Sequence, residues 1–65
     1  MPRSPLRIAP FLRQIEAVWE REPDLRFGQL VMNLTREPDG SFADPWNWEN
    51  SEWSRRIDVY LARRV

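Results

Sequence analysis

The chain contains no histidine, no cysteine and no lysine. The first absence removes the commonest general base, the second the thiolate nucleophile and any disulfide staple, the third the Schiff-base amine. The usual ligands of zinc, copper and iron go with them. Five hydroxyls remain, on Ser4, Thr35, Ser41, Ser51 and Ser54, with no His or Lys to activate them. Paired carboxylates do acid–base work in some enzymes, but a 65-residue chain can hardly build a cleft around them. The expectation is a protein that is not an enzyme and takes no cofactor and no metal. Gly28 and Gly40 are the only glycines, so there is no Gly-rich phosphate loop. No apolar run nears the roughly 18 residues of a membrane helix, and none follows Arg3 that would serve as a signal peptide. The cytoplasm, away from any membrane, is therefore the expected location.

What is present is ordinary for a folded globule: 42% hydrophobic and 31% charged residues, too apolar for disorder. Sixty-five residues make one domain, residues 1–65, that buries only about 60% of the surface its unfolded chain exposes. Ten acidic residues balance ten arginines, unevenly along the chain. Residues 1–21 carry four Arg and two Glu, a net +2; residues 22–52 carry two Arg and seven acids, −5; residues 53–65 carry four Arg and one Asp, +3. Such asymmetry either steers a partner or balances itself when the helices pack.

Three stretches show helical periodicity, giving an all-α, compact three-helix domain with helices at about 8–22, 25–36 and 51–63. In the first, Ile8, Phe11, Leu12, Ile15, Val18 and Trp19 share a stripe about 120° wide. Pro10 lies in its first turn, Ser4-Pro5 offers an earlier start, and Pro23 closes it. In the second, Asp24 is the expected N-cap and Phe27, Leu30, Val31 and Leu34 the apolar face. Gly28, in the first turn, is expected to let another backbone or ring approach closely. In the third, Asn50 or Ser51 caps, Trp53, Ile57, Tyr60 and Leu61 face inward, and Arg63 and Arg64 suit the negative helix end. Trp19, Phe27, Trp53 and Tyr60 are expected to meet in the core. Burial of large side chains and the cost of ordering nearly cancel at this size, so aromatic bulk, or dimerisation, supplies the margin.

Between the second and third helices lies a long acidic loop with turns at Pro38-Asp39-Gly40 and Asp44-Pro45. Its Glu37, Asp39, Asp44 and Glu49 do not follow the alternation of a calcium-binding loop. Trp46 and Trp48 flank Asn47 there. They either anchor a partner or pack over the open end of the helical core. On the second helix Arg26, Gln29 and Asn33 lie at i, i+3 and i+7, with Arg36 one turn further. This polar stripe beside the apolar one reads as a recognition face, or as a structural set. In the structural version Arg26 pairs with an acid such as Glu49, and Gln29 and Asn33 tie down loop backbone.

The segment from Ile15 to Asn33, IEAVWEREPDLRFGQLVMN, resembles the YihD-like family of small bacterial proteins of unknown function. The shared pattern is a helix ending in Trp, a Glu-Pro-Asp turn, then a helix opening with an aromatic or leucine and a Gln. The segment DPWNWENSEW, from Asp44 to Trp53, resembles the family's acidic turn, with Asn50 where an acid is more usual. The resemblance covers roughly 40 residues. It implies a compact helical domain of bacterial or phage origin and carries no activity with it.

The leading expectation is a non-enzymatic interaction module, with another protein or a second copy of itself as partner, and Arg26, Gln29, Asn33, Arg36, Trp46 and Trp48 as candidate contacts. The alternative is a small nucleic-acid-binding regulator of helix-turn-helix-like arrangement, using Arg26, Arg36 and the Arg55-Arg56 and Arg63-Arg64 pairs. Zero net charge and the acidic centre disfavour it.

Overall fold

The computed structural model describes residues 3–63. It is all-helical: a 3-10 turn over Pro5–Arg7 runs into α1, Ile8–Glu20, followed by α2, Phe27–Thr35, and α3, Asn50–Arg63. The described residues form no strand. Helix α3 packs against both α1 and α2, whereas α1 and α2 lean far less on each other. The fully sheltered core is small and aliphatic: Val18 from α1, Leu30 and Leu34 from α2, Ile57 from α3. Trp19, Trp53 and Tyr60 pack around it, half-buried, instead of filling it. Phe27 does not join them at the centre; it is 51% exposed and only tilts against Trp19, ring centroids 5.4 Å apart. The small apolar side chains hold the narrow space between three converging backbones, and the rings close its rim.

Both proline signals act at the start of the chain. The Ser4 hydroxyl accepts the Leu6 N–H at 3.2 Å and opens the 3-10 turn, which leads directly into α1. The junction of α1 and α2 departs from the expected bounds. Pro23 disfavours helical backbone at Glu22, and the last turn of α1 tightens: the Arg21 and Glu22 N–H groups reach back to Val18 and Trp19 carbonyls at 3.2 and 2.9 Å. Helix α1 therefore ends at Glu20, two residues early. Asp24 is not the cap of α2. The Leu25 N–H closes a turn on the Glu22 carbonyl, and the Leu25 carbonyl accepts the Trp19 indole N–H at 2.8 Å, so Leu25 belongs to the turn before α2. Arg26, extended, takes the capping position, and its backbone N–H is satisfied by the Gln29 side-chain oxygen at 2.8 Å. Gly28 meets no close neighbour: a Cβ there would face open space. The approach expected of it is not made among the described residues.

Helix α2 stops at Thr35 because Arg36 turns extended and bridges Phe42. The Glu37 N–H donates to the Ser41 carbonyl at 2.7 Å and the Ala43 N–H to the Thr35 carbonyl at 2.8 Å. Gly40, at φ 91°, makes the reversal. Helix α3 begins at Asn50, one residue early, its first turn closed on the Glu49 carbonyl. Arg64 lies outside the described residues.

Candidate interaction surfaces

The polar stripe of α2 is spent largely within the fold. Gln29 caps its own helix. Asn33 donates to the Tyr60 hydroxyl at 3.4 Å, and that hydroxyl donates to the Glu22 carboxylate, tying α2, α3 and the α1–α2 turn together. The Arg36 guanidinium lies 5.2 Å from the Phe42 ring centroid, and its carbonyl accepts from Arg56. Arg26 is exposed, and it does not pair with Glu49, whose carboxylate is held by Arg3 at 2.5 Å. Gln29 and Asn33 lie in α2 and Arg26 and Arg36 at its two ends, and the four do not share one task.

The two loop tryptophans part company. Trp48 lies edge-on to Trp53, ring centroids 4.9 Å apart at 71°, and under the Arg56 guanidinium at 4.5 Å. Trp46 is 87% exposed. Its backbone is nonetheless fixed: the Asp44 carboxylate accepts its N–H at 3.0 Å, and the Trp48 N–H closes a turn on the Pro45 carbonyl at 2.9 Å.

Arg56 is the residue that periodicity alone passed over. Its fork donates to the Arg36 carbonyl at 3.2 Å, to Glu52 at 3.2 Å and to Glu37, while its plane covers Trp48. It stands three residues after Trp53 and four before Tyr60, on the flank of the inward face, and that spacing is the signal it carries in the sequence. Beside it, Asn33, Arg36, Arg55, Tyr60 and Arg63 line a cleft of about 280 Å³ between α2 and α3. Much of its positive charge is already answered. Arg55 donates to Glu52, which lowers the Glu52 pKa and raises that of Arg55.

A second cleft is chemically different. Between α1 and α2, Phe11, Leu12, Ile15, Phe27, Val31 and the floor residue Trp53 enclose about 220 Å³ with apolar walls. It continues along α1 past Trp19 to Pro23, with Glu16 and Glu20 on its outer lip. Ile8 and Leu12, which the spacing assigns to the inner stripe, are 45% and 57% exposed here. The stripe is wider than α2 and α3 can cover. No group of three or more acidic side chains among the described residues is placed to hold a metal ion. No described helix is long and apolar enough to cross a membrane. Comparison with protein-family models, with curated proteins and with solved structures finds no match.

Proposed function

We propose that the chain is a non-enzymatic protein-interaction module that receives an apolar helical face of a partner in the cleft between α1 and α2. The observation that carries this reading is the cleft itself: an apolar trough whose lips, Leu12 and Phe27, stand half in water. Exposed apolar surface gathered into one groove marks an interaction site more often than scattered single residues do. Trp46, rigidly presented and unburied, is a second proposed contact, since tryptophan anchors interfaces out of proportion to its number. Arg26 joins the proposed contacts, whereas Gln29, Asn33, Arg36 and Trp48 support the fold that presents them. A cytoplasmic location and kinship with YihD-like proteins belong to the same proposal, supported by the residues that suggested them.

The test is affinity capture from bacterial lysate with nuclease present, comparing wild type, Leu12→Glu and an Arg26→Ala/Gln29→Ala pair, each first shown to be helical by circular dichroism. A purified binding protein whose addition shifts the NMR signals of α1 and α2, and which Leu12→Glu no longer retains, supports the reading. Capture indifferent to Leu12→Glu overturns it.

The nucleic-acid alternative draws on one observation: Arg36, Arg55, Arg56 and Arg63 line a single cleft. Gel shifts at low salt decide it. Retention of duplex or single strands, abolished by Arg55→Ala/Arg63→Ala, would bring it forward; no shift eliminates it.

A further inference from the structure

The cleft between α2 and α3 holds donors that the fold does not use. Four guanidiniums line it, from Arg36 at the end of α2 and from Arg55, Arg56 and Arg63 of α3. Among the described residues Glu37 is the one carboxylate in its wall. Two of the four guanidiniums are committed: Arg56 to Glu37, Glu52 and the Arg36 carbonyl, and Arg55 to Glu52. Glu52 itself, and Glu22 beyond the Tyr60 hydroxyl, do not line the cleft. The other two guanidiniums are unspent. Among the described residues neither Arg36 nor Arg63 makes an ion pair. Arg36 serves the fold through its carbonyl and by lying over the Phe42 ring, and neither contact uses its side-chain N–H groups.

We propose that this cleft binds a small organic phosphate, a phosphomonoester whose oxygens are gripped by Arg36 from the α2 side and by Arg63 from the α3 side. The site goes beyond the interaction-module reading and does not depend on it, since the apolar trough is a separate cleft. The planar fork of arginine matches oxyanions and gives charge-assisted bonds in pairs. One fork saturates a carboxylate. Two unspent forks call for a group with more acceptors, and the three free oxygens of a phosphomonoester supply them. Size limits the rest of the ligand. The cleft, about 280 Å³, lies near the lower bound of small-molecule sites, roughly 300 Å³. Leu34, Pro38 and Val59 give it an apolar lining for an aromatic or short aliphatic body. Val59, 38% exposed, stands between Arg55 and Arg63 at i, i+4 and i+8 on one stripe of α3, so the lining and the charge lie side by side. A nucleic-acid backbone fits less well. It is gripped by cations spread along a surface, whereas these are gathered in one concavity.

The probe is phenyl phosphate, titrated at neutral pH and low salt into the isotope-labelled full chain and followed by amide and guanidinium NMR. Saturable shifts are expected at residues 33–38 and 55–63, with a Kd of about 0.1–1 mM. Inorganic phosphate, which lacks the organic body, and benzoate, which lacks the third oxygen, are each expected to bind roughly tenfold more weakly. Arg36→Gln and Arg63→Gln are each expected to raise the Kd roughly tenfold. Arg63 is exposed and unpaired, so its variant is expected to keep the wild-type circular dichroism and melt, which separates lost binding from lost fold. Arg63→Lys keeps the charge without the fork and is expected to recover no more than about threefold. No saturable shift up to about 10 mM phenyl phosphate overturns the proposal, as do shifts centred outside the cleft. Unchanged affinity in Arg36→Gln/Arg63→Gln overturns it as well. Benzoate binding as tightly as phenyl phosphate overturns the choice of phosphate, and inorganic phosphate doing so overturns the organic body. A single-stranded oligonucleotide that saturates the same residues where phenyl phosphate does not would overturn the small ligand in favour of nucleic acid.

Discussion

Arg56 holds three parts of the molecule with one planar group: the end of α2 through a carbonyl, the loop through Glu37 and Trp48, and its own helix through Glu52. Its removal leaves a carbonyl and a carboxylate without their donor and uncovers an indole. Arg56→Ala is therefore expected to destabilise by about 1–3 kcal/mol in urea melts, the range for charged hydrogen bonds in partly sheltered positions. Arg56→Lys is expected to recover little, because an ammonium offers neither the fork nor the flat face. The tryptophans divide in the same way. Trp48→Ala removes an edge-on ring contact and the surface under Arg56, and is expected to lower the melting temperature by several degrees, while Trp46→Ala leaves it within a degree or so. Equal shifts from both substitutions would contradict the environments described for the two rings.

At the scale of the helices, what was legible in the chain is the existence and inner face of each one. Val18, Leu30, Leu34 and Ile57 all stand on the stripes that periodicity marks, and all are buried. The ends were not legible where a tertiary bond sets them. The start of α2 depends on the Trp19 indole reaching the Leu25 carbonyl, a contact between a side chain and a backbone six residues apart that no local pattern encodes. Nor could spacing tell Ile8 and Leu12 from Val18, since a stripe records which residues share a face and not how far the neighbouring helices extend over it. Of the six candidate contacts, only Gln29 and Asn33 lie within α2, with Arg26 and Arg36 extended at its two ends, and hydrogen-bond partners drawn from α3 and from the helix end absorb three of these four. Gly28 is the remaining anomaly of α2. It occupies an exposed first-turn position with empty space where a Cβ would stand, at negative φ. Gly28→Ala is accordingly expected to stabilise the isolated protein by a few tenths to about 1 kcal/mol in chemical denaturation. A loss of stability would show that some neighbour comes closer to Gly28 than the structure places it.

For the molecule as a whole, the uneven charge of the chain is resolved by folding. Every ion pair among the described residues joins a basic terminal segment to the acidic middle: Arg3 to Glu49, Arg56 to Glu37, and Arg55 and Arg56 to Glu52. The hydrogen bond from Arg55 holds the Glu52 pKa below its ordinary value, and the Ser41 hydroxyl and N–H do the same for Asp39. A carboxylate whose pKa is lower folded than unfolded stabilises the fold above its unfolded pKa, and that contribution is lost as pH falls through the folded value. Stability is therefore expected to be flat, as far as these two groups go, from neutrality down to the ordinary carboxylate range near pH 4, and to decline below it. Glu52→Gln is expected to shallow that acid slope, its difference from wild type shrinking as pH falls through the lowered folded-state pKa of Glu52. Urea melts across pH 3–7 read both effects. Raised salt is expected to weaken the same pairs, which are mostly exposed.

The isolation of Trp46 gives the chain an optical label of its own. Three indoles are sheltered, by the core rim or by Arg56, and one stands in water on a pinned turn. Iodide added to the native protein should therefore quench one red-shifted fraction of the fluorescence first, and Trp46→Phe should remove that fraction. Any molecule that settles over the loop would shield it. Occupancy of that corner can then be read by light alone, without attaching a dye.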